Sequence, residues 1–347
     1  MKIFFNHHLS SIADIVSSIR KAHPDVGIAA SHARRDGPLQ GLLDEVVREP
    51  DMPESGDMPG WYPAWLRDTA KAAGADVVIP GRHAASLASG CDAWSENGIR
   101  LLTVGSVGVP ALIEAKSALL SRAARLGILI TPFTCWSEAA GFRQSIREMS
   151  GLGEDGLCIK PVSGIYAEGF RRLVDETEPD ACDILLAGHG DAIGSAFLED
   201  LLETRGPGPI MMTMPFLRGR ERSVDIASLD GRVLGAVTRT KYNHHQVVGH
   251  DETAFEMARL LVEDLNLSGL VNIQTIEDRS GRQHLLEMNG RASGGIGMSA
   301  FSGVDLPALL VSGLKGDVVS GPQLPKRPVR VATRVTFANL GPVTDRA

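Results

Sequence analysis

Residues 269–297, GLVNIQTIEDRSGRQHLLEMNGRASGGIG, restrict the possible folds of this chain more than any other stretch. Two apolar runs flank Ser280-Gly281, which predicts a β-hairpin. With Ser280 and Gly281 as the two central turn residues, Gln274 falls opposite Glu287 and Asn272 opposite Asn289. Glu287 and Asn289 are two apart on one strand and share a face, which brings a carboxylate and amide oxygens to one sheet end beside Arg291. Magnesium suits such ligands, because it takes oxygen donors and completes its shell with water and nucleotide phosphates. The same spacing also fits an ordinary solvated hairpin.

The chain has 347 residues, enough for two or three packed units with a sizeable core. Its formal net charge of -7 argues against a general nucleic-acid binder, since phosphate-backbone affinity is supplied mainly by excess Lys and Arg. Cys91, Cys135, Cys158 and Cys182 are widely spaced with no C-x-x-C pair, which disfavours structural zinc and fits a reducing cytoplasm. No uninterrupted apolar run approaches the roughly 20 residues needed to span a bilayer. A cytoplasmic protein with no membrane or nucleic-acid partner is expected.

The first hundred residues alternate short apolar runs at 2–5, 26–30, 76–80 and 101–104 with helical patterns, which predicts a small parallel α/β unit. A dinucleotide site there is disfavoured, because Asn6-His7-His8-Leu9-Ser10 follows the first strand with none of the glycines that let a backbone approach a pyrophosphate. Residues 49–61 read as an irregular loop before a helix at 65–73. From Pro110 a helix is expected to run to Arg125, and a second one to about Glu148. A strand ending in Lys160-Pro161, a helix at 194–204, strands at 210–216, 223–229 and 233–240, and a long helix at 252–265 precede the hairpin. This order predicts an α/β unit followed by an α+β unit.

Taken together these segments resemble the ATP-grasp superfamily, most closely its branch containing the carbamoyl-phosphate-synthetase large chain and related carboxylate-amine ligases. The resemblance covers nearly the whole chain. It implies a pre-ATP-grasp α/β domain at 1–109 and an ATP-grasp domain at 110–347, with a small clamp subdomain at about 150–215. Its strongest element is Asn272-x-Gln274 with Glu287-Met288-Asn289-Gly290-Arg291, which is similar to the family's metal-binding hairpin. The resemblance implies that Gln274, Glu287 and Asn289 hold Mg2+, with Mn2+ as an alternative, and that Arg291 faces the transferring phosphate. Gly290 stands where the family usually has proline.

The resemblance also places Lys116 at the family's first nucleotide-binding cation and Lys160 at its Lys-Pro step, whose cation touches ATP phosphates. Read alone, Lys116 is a solvated helix residue, whereas a strand-end Lys160 without an anionic partner would be costly. The glycine-rich flap expected next is reduced here to SGIYAEG at 163–169. Met214, Pro215, Phe216 and Leu217 match the linker whose main chain reads adenine, although the same run also reads as a buried strand. Glu221 matches the family's acid after that linker, and Met214 stands where an acid often meets the ribose. Arg239 and Lys241 end the next strand on one face and complete the expected cofactor contacts. The histidine pairs His7-His8 and His244-His245 point to opposite faces if on strands, which disfavours a shared metal.

The function implied is ATP-dependent activation of a small-molecule carboxylate as an acyl phosphate for attack by an amine or related nucleophile, releasing ADP and phosphate. A homodimer is compatible with that reading. The reduced flap leaves open a nucleotide-binding module or inactive subunit, and a simple phosphotransferase remains a third reading. Asn6, His7, His32, Arg34, Arg35 and the 49–61 loop are the substrate-specificity candidates.

Overall fold

A computed structural model describes residues 1–6, 11–33, 41–51, 58–81, 83–153, 155–164, 168–175, 192–317 and 320–333. The chain forms two compact units: Met1–Ala111 with Arg222–Ile273 and Asn289–Ala347, and Leu112–Glu221 with Gln274–Met288.

The first unit begins with a parallel sheet of order β3-β2-β1-β4-β5, built from β1 (Lys2–Asn6), β2 (Gly27–His32), β3 (Glu45–Arg48), β4 (Val77–Pro80) and β5 (Arg100–Leu101). β1 is apolar at successive positions because both of its faces are covered. Ile3 and Phe5 enter one core and Phe4 the other, as strand alternation requires. The first core is closed by α1 (Ile12–Ala22), whose Ile12, Ile15, Val16 and Ile19 make a helical stripe. The second is closed by α2 (Tyr62–Ala72) through Tyr62, Leu66 and Ala70. Short helices α3 (Ala84–Ala88) and α4 (Cys91–Ser95) precede β5. The strand at 45–48 was not anticipated: its EVVR run is too short and too half-exposed to stand out. The expected strand at 101–104 shrinks to β5.

The expected helix at 110–125 is broken. α5 (Val109–Glu114) and α6 (Lys116–Arg125) are separated by Ala115, whose backbone is non-helical at φ -88°, ψ 88°. α6 opens the second unit's helical layer, followed by β6 (Thr134–Trp136), α7 (Ala139–Met149), β7 (Leu157–Pro161), β8 (Arg171–Val174), β9 (Ala192–Gly194), α8 (Ser195–Arg205) and β10 (Met211–Pro215). Its sheet order is β6-β10-β7-β8-β9, with β10 antiparallel to β7 and Met212 opposite Lys160. Trp136, Phe142, Ile159 and Leu198 form its core, and the Trp136 indole N–H donates to Thr213 Oγ1 at 2.8 Å.

Back in the first unit, β11 (Glu221–Leu229) and β12 (Arg232–Lys241) pair through Asp230-Gly231, both at positive φ (49° and 73°), as a tight hairpin turn demands. β13 (Gln246–Gly249) and β16 (Val329–Val331) extend one side of this sheet. The other carries β14 (Gly269–Glu277) and β15 (Gln283–Asn289), the strands of the expected hairpin, whose residues 274–288 belong to the second unit. α9 (Glu252–Asp264), capped by Asp251 accepting from Ala254 N–H at 3.0 Å, lies against β12. A 3-10 helix at Ile296–Ser302 leads to α10 (Leu306–Lys315). α10 packs on α1, where Ser18 donates to Asp305 and His23 Nε2 meets the Ala308 carbonyl at 3.0 Å.

Candidate functional site

In the second unit Lys116, Lys160 and Glu287 lie within electrostatic range of one another. Lys160 is buried on β7 at 8% exposure, and its ammonium donates to the Leu286 carbonyl of β15 at 3.3 Å. Lys116 stands at the first turn of α6. Its main-chain N–H donates to the Val162 carbonyl at 2.9 Å and its ammonium to the Gly164 carbonyl at 2.6 Å. The break at Ala115 therefore turns an expected mid-helix lysine into a helix-start residue tied to the segment after β7. Burial pushes the pKa of both lysines down, and the Glu287 carboxylate opposes that shift in each. Each ammonium has three donors, and each has one hydrogen bond among the described residues. Two partly dehydrated cations facing one carboxylate favour a further anion there. Burial also pushes the neighbouring Cys158 thiol up to about 11, which keeps it protonated and inert.

The hairpin forms, but its turn is not the two-residue one expected. Gly281 N–H donates to the Asp278 carbonyl at 3.0 Å and Asp278 N–H to the Arg282 carbonyl at 2.9 Å. Arg279, Ser280 and Gly281 thus form a three-residue loop with Gly281 at φ 84°. The Asp278 carboxylate organises it, accepting from the Ser280 and Arg282 N–H groups at 2.9 Å each. Thr275 Oγ1 donates to Gln283 Oε1 at 2.8 Å, so positions of equal parity share a face next to this turn. The pairing of Gln274 with Glu287 and of Asn272 with Asn289, which needs opposite parity, therefore does not follow from the turn. Asn272 is instead buried, donating to Asp225 Oδ1 at 2.9 Å. Glu287 and Asn289 keep their two-residue spacing on β15 with Met288 buried between them. β15 is held further by Leu285 N–H donating to the Leu129 carbonyl at 2.8 Å. Among the described residues no three His, Cys, Asp or Glu side chains gather as a metal cage. The donor set fits the sparse, phosphate-completed shell of Mg2+.

The family described as "ATP-grasp in the biosynthetic pathway with Ter operon" matches residues 208–337. No curated protein matches the sequence. Among solved structures the chain is similar to a biotin carboxylase–nucleotide complex from Campylobacter jejuni: TM-score 0.67, 15% identity, 92% of this chain and 72% of that one. It is similar to the ADP complex of N5-carboxyaminoimidazole synthetase from Staphylococcus aureus: TM-score 0.64, 12% identity, 94% and 80% covered. The biotin carboxylase domain of 2-oxoglutarate carboxylase from Hydrogenobacter thermophilus, complexed with MgADP and bicarbonate, gives TM-score 0.64 at 14% identity, covering 93% and 71%. The chain has an ATP-grasp fold.

Within that fold the strand-to-linker run behaves as β10 followed by exposed chain. Met214 and Pro215 are buried, and Phe216 and Leu217 are half-buried. The Arg172 and Arg218 guanidinium carbons lie 5.8 and 5.7 Å from the centre of the Phe216 ring. Glu221 opens β11. Arg239 is buried and fully engaged: Nε donates to Asp225 Oδ2 at 2.6 Å, Nη1 to Gln246 Oε1 at 2.7 Å and Nη2 to Ser293 Oγ at 2.8 Å. A Cβ on Gly295 would meet its guanidinium at 2.5 Å, so glycine makes room for it. Arg239 thus fastens the segment after Arg291 to the sheet. Lys241, two residues on, is exposed, as is His244, while the half-buried His245 ring stacks on Tyr242 at 4.9 Å. His7, His8, Arg34, Arg35, residues 165–167 of the 163–169 loop and residues 52–57 of the 49–61 loop lie outside the described residues.

Sequence reasoning missed a chain of buried polar groups across the carboxyl ends of β2, β3, β1 and β4. Glu49 Oε1 accepts from Ser31 Oγ at 2.7 Å and from the Tyr62 hydroxyl at 2.8 Å. Tyr62 in turn accepts from Asn6 Nδ2 at 3.1 Å, and Asn6 Oδ1 accepts from Gly81 N–H at 2.7 Å. The only signal for it was the polar residue ending each apolar run.

Proposed function

We propose that this chain is an ATP-dependent ligase that activates a small-molecule carboxylate as an acyl phosphate and passes the acyl group to an amine or related nucleophile. The convergence of Lys116 and Lys160 on Glu287 carries this reading, because dehydrated ammonium groups beside a carboxylate suit a polyphosphate with its divalent ion. The fold shared with nucleotide-bound biotin carboxylase and N5-carboxyaminoimidazole synthetase structures supports it.

Glu287 and Asn289 would hold Mg2+, which when bound neutralises phosphate charge. Lys160 and Lys116 bind the phosphates of ATP, the main chain at Met214–Leu217 reads the base, and Glu221 serves the ribose. Arg291 binds the transferring group. A substrate carboxylate oxygen attacks the terminal phosphorus, the bond to the bridging oxygen breaks, and ADP leaves. The nucleophile then attacks the acyl carbon and expels phosphate. Catalysis rests on alignment and charge neutralisation, so no side-chain nucleophile is required.

Hydroxylamine supplied with Mg-ATP and a competent carboxylate should yield a hydroxamate, and an isotopic label in the carboxylate oxygen should appear in released phosphate. AMP with pyrophosphate would overturn the assignment. ADP formed without oxygen transfer would mean a phosphotransferase, and binding without ADP release a nucleotide-binding module.

A further inference from the structure

In the parallel sheet the chain runs from β1 outward through β2 and β3, then returns to place β4 on the other side of β1. Open sheets of this kind take ligands outside the carboxyl ends of their strands, where the strand order reverses. Here that place is the β1/β4 junction, bridged by the Asn6–Gly81 hydrogen bond. A cavity of about 70 Å3 opens there within the first unit. Its wall is apolar: Ile12 and Ile15 of α1 and Leu310 and Val311 of α10 line it. Asn6 and Arg291 are among the polar residues that line it. The Tyr62–Glu49–Ser31 relay fixes the Asn6 carboxamide. Gly290 brings the backbone close to this wall, since a Cβ there would sit 3.2 Å from Val104.

A cavity needs about 10–15 Å3 to seat one water, so this one seats roughly five heavy atoms. A lining of branched aliphatic side chains offers water few partners and favours hydrocarbon. We propose that the cavity is the subsite for the tail of the activated acid, and that the substrate is a carboxylate bearing a compact, uncharged aliphatic group of about four carbons. The acid's head lies at Arg291 and Asn6. This deepens the ligase reading and rests on it for the fate of the carboxylate.

The test is equilibrium binding of 3-methylbutanoate, acetate and malonate to the full chain, with and without Mg-ADP, alongside a separate assay of ADP release. At about four-fold per buried methylene, 3-methylbutanoate should bind at least 20-fold more tightly than acetate, and malonate should bind more weakly still. Val311→Phe, which fills the cavity, should abolish that preference while leaving Mg-ADP affinity unchanged. Ile15→Ala, which enlarges it, should shift the optimum to an acid one or two carbons longer. No preference for the branched acid, or a preference and chain-length optimum indifferent to both substitutions, overturns the proposal. Tight 3-methylbutanoate binding without ADP release would leave the subsite standing and remove the ligase reading. ADP release with malonate but not 3-methylbutanoate would do the reverse.

Discussion

Lys160 shows how a single residue can be unfavourable for the fold and still suit the site proposed for it. Folding takes its ammonium out of water and leaves it one backbone carbonyl and the field of Glu287. Its folded pKa is lowered, so the charged form is disfavoured in the native state. That cost is fully present below the folded pKa and disappears as pH rises towards the ordinary lysine value of about 10.4. At neutral pH the ligand-free protein therefore carries the cost. Lys160→Met should raise the apo Tm by on the order of 2–4 °C, the change about 1 kcal/mol makes in a unit of this size, while weakening ATP binding at least ~10-fold. Scanning fluorimetry and calorimetry read the two effects, and a lower apo Tm would contradict the account. Glu287→Gln removes the group that opposes the shift in both lysines. In that variant ATP affinity should fall off at a lower pH than in the wild type, and Mg2+ affinity should drop by at least ~10-fold. A pH titration of ATP binding at fixed Mg2+ checks the first, and a Mg2+ titration at fixed pH the second.

Among the elements, the hairpin was legible as a hairpin but not in its register. Period-two patterning located β14 and β15, and the Ser-Gly step marked the turn. Whether that step sits in a two-residue or a three-residue loop is decided by the Asp278 side chain accepting from Ser280 and Arg282, a contact that apolar patterning does not encode. Gly281→Ala should therefore lower stability by about 1 kcal/mol, visible as a lower urea midpoint, because alanine is strained at φ 84°. An unchanged midpoint would remove the requirement for a left-handed residue there. The helix expected at 110–125 failed for a related reason: its pattern is continuous through Ala115, and the break is imposed by Lys116 N–H pairing with the Val162 carbonyl, a contact with a residue far along the chain. Arg239 illustrates the same limit. Its strand and face were readable, but its partner Asp225 lies on the neighbouring strand, and the bond to Ser293 joins elements separated by three further strands and a helix.

At the scale of the whole molecule the proposed nucleotide and acid sites draw on different units. The lysines that would meet nucleotide phosphates belong to Leu112–Glu221, whereas the apolar cavity and Arg291 belong to the unit built from Met1–Ala111, Arg222–Ile273 and Asn289–Ala347. A ligand that binds the native state alone stabilises it by about 2.7 kcal/mol at 100 times its Kd, and local protection falls first on the elements it touches. Mg-ADP alone should therefore slow amide hydrogen exchange in β7, β10 and the first turn of α6. A branched four- or five-carbon acid alone should slow it in α1, α10 and the carboxyl ends of β1 and β4. At 100 times Kd the retardation should approach 100-fold for amides that exchange by opening of the liganded segment. If the acid protects β7 and β10 while leaving α1 and α10 unchanged, acid and nucleotide share one unit, and the division of labour argued from Lys160 and Asn6 is wrong.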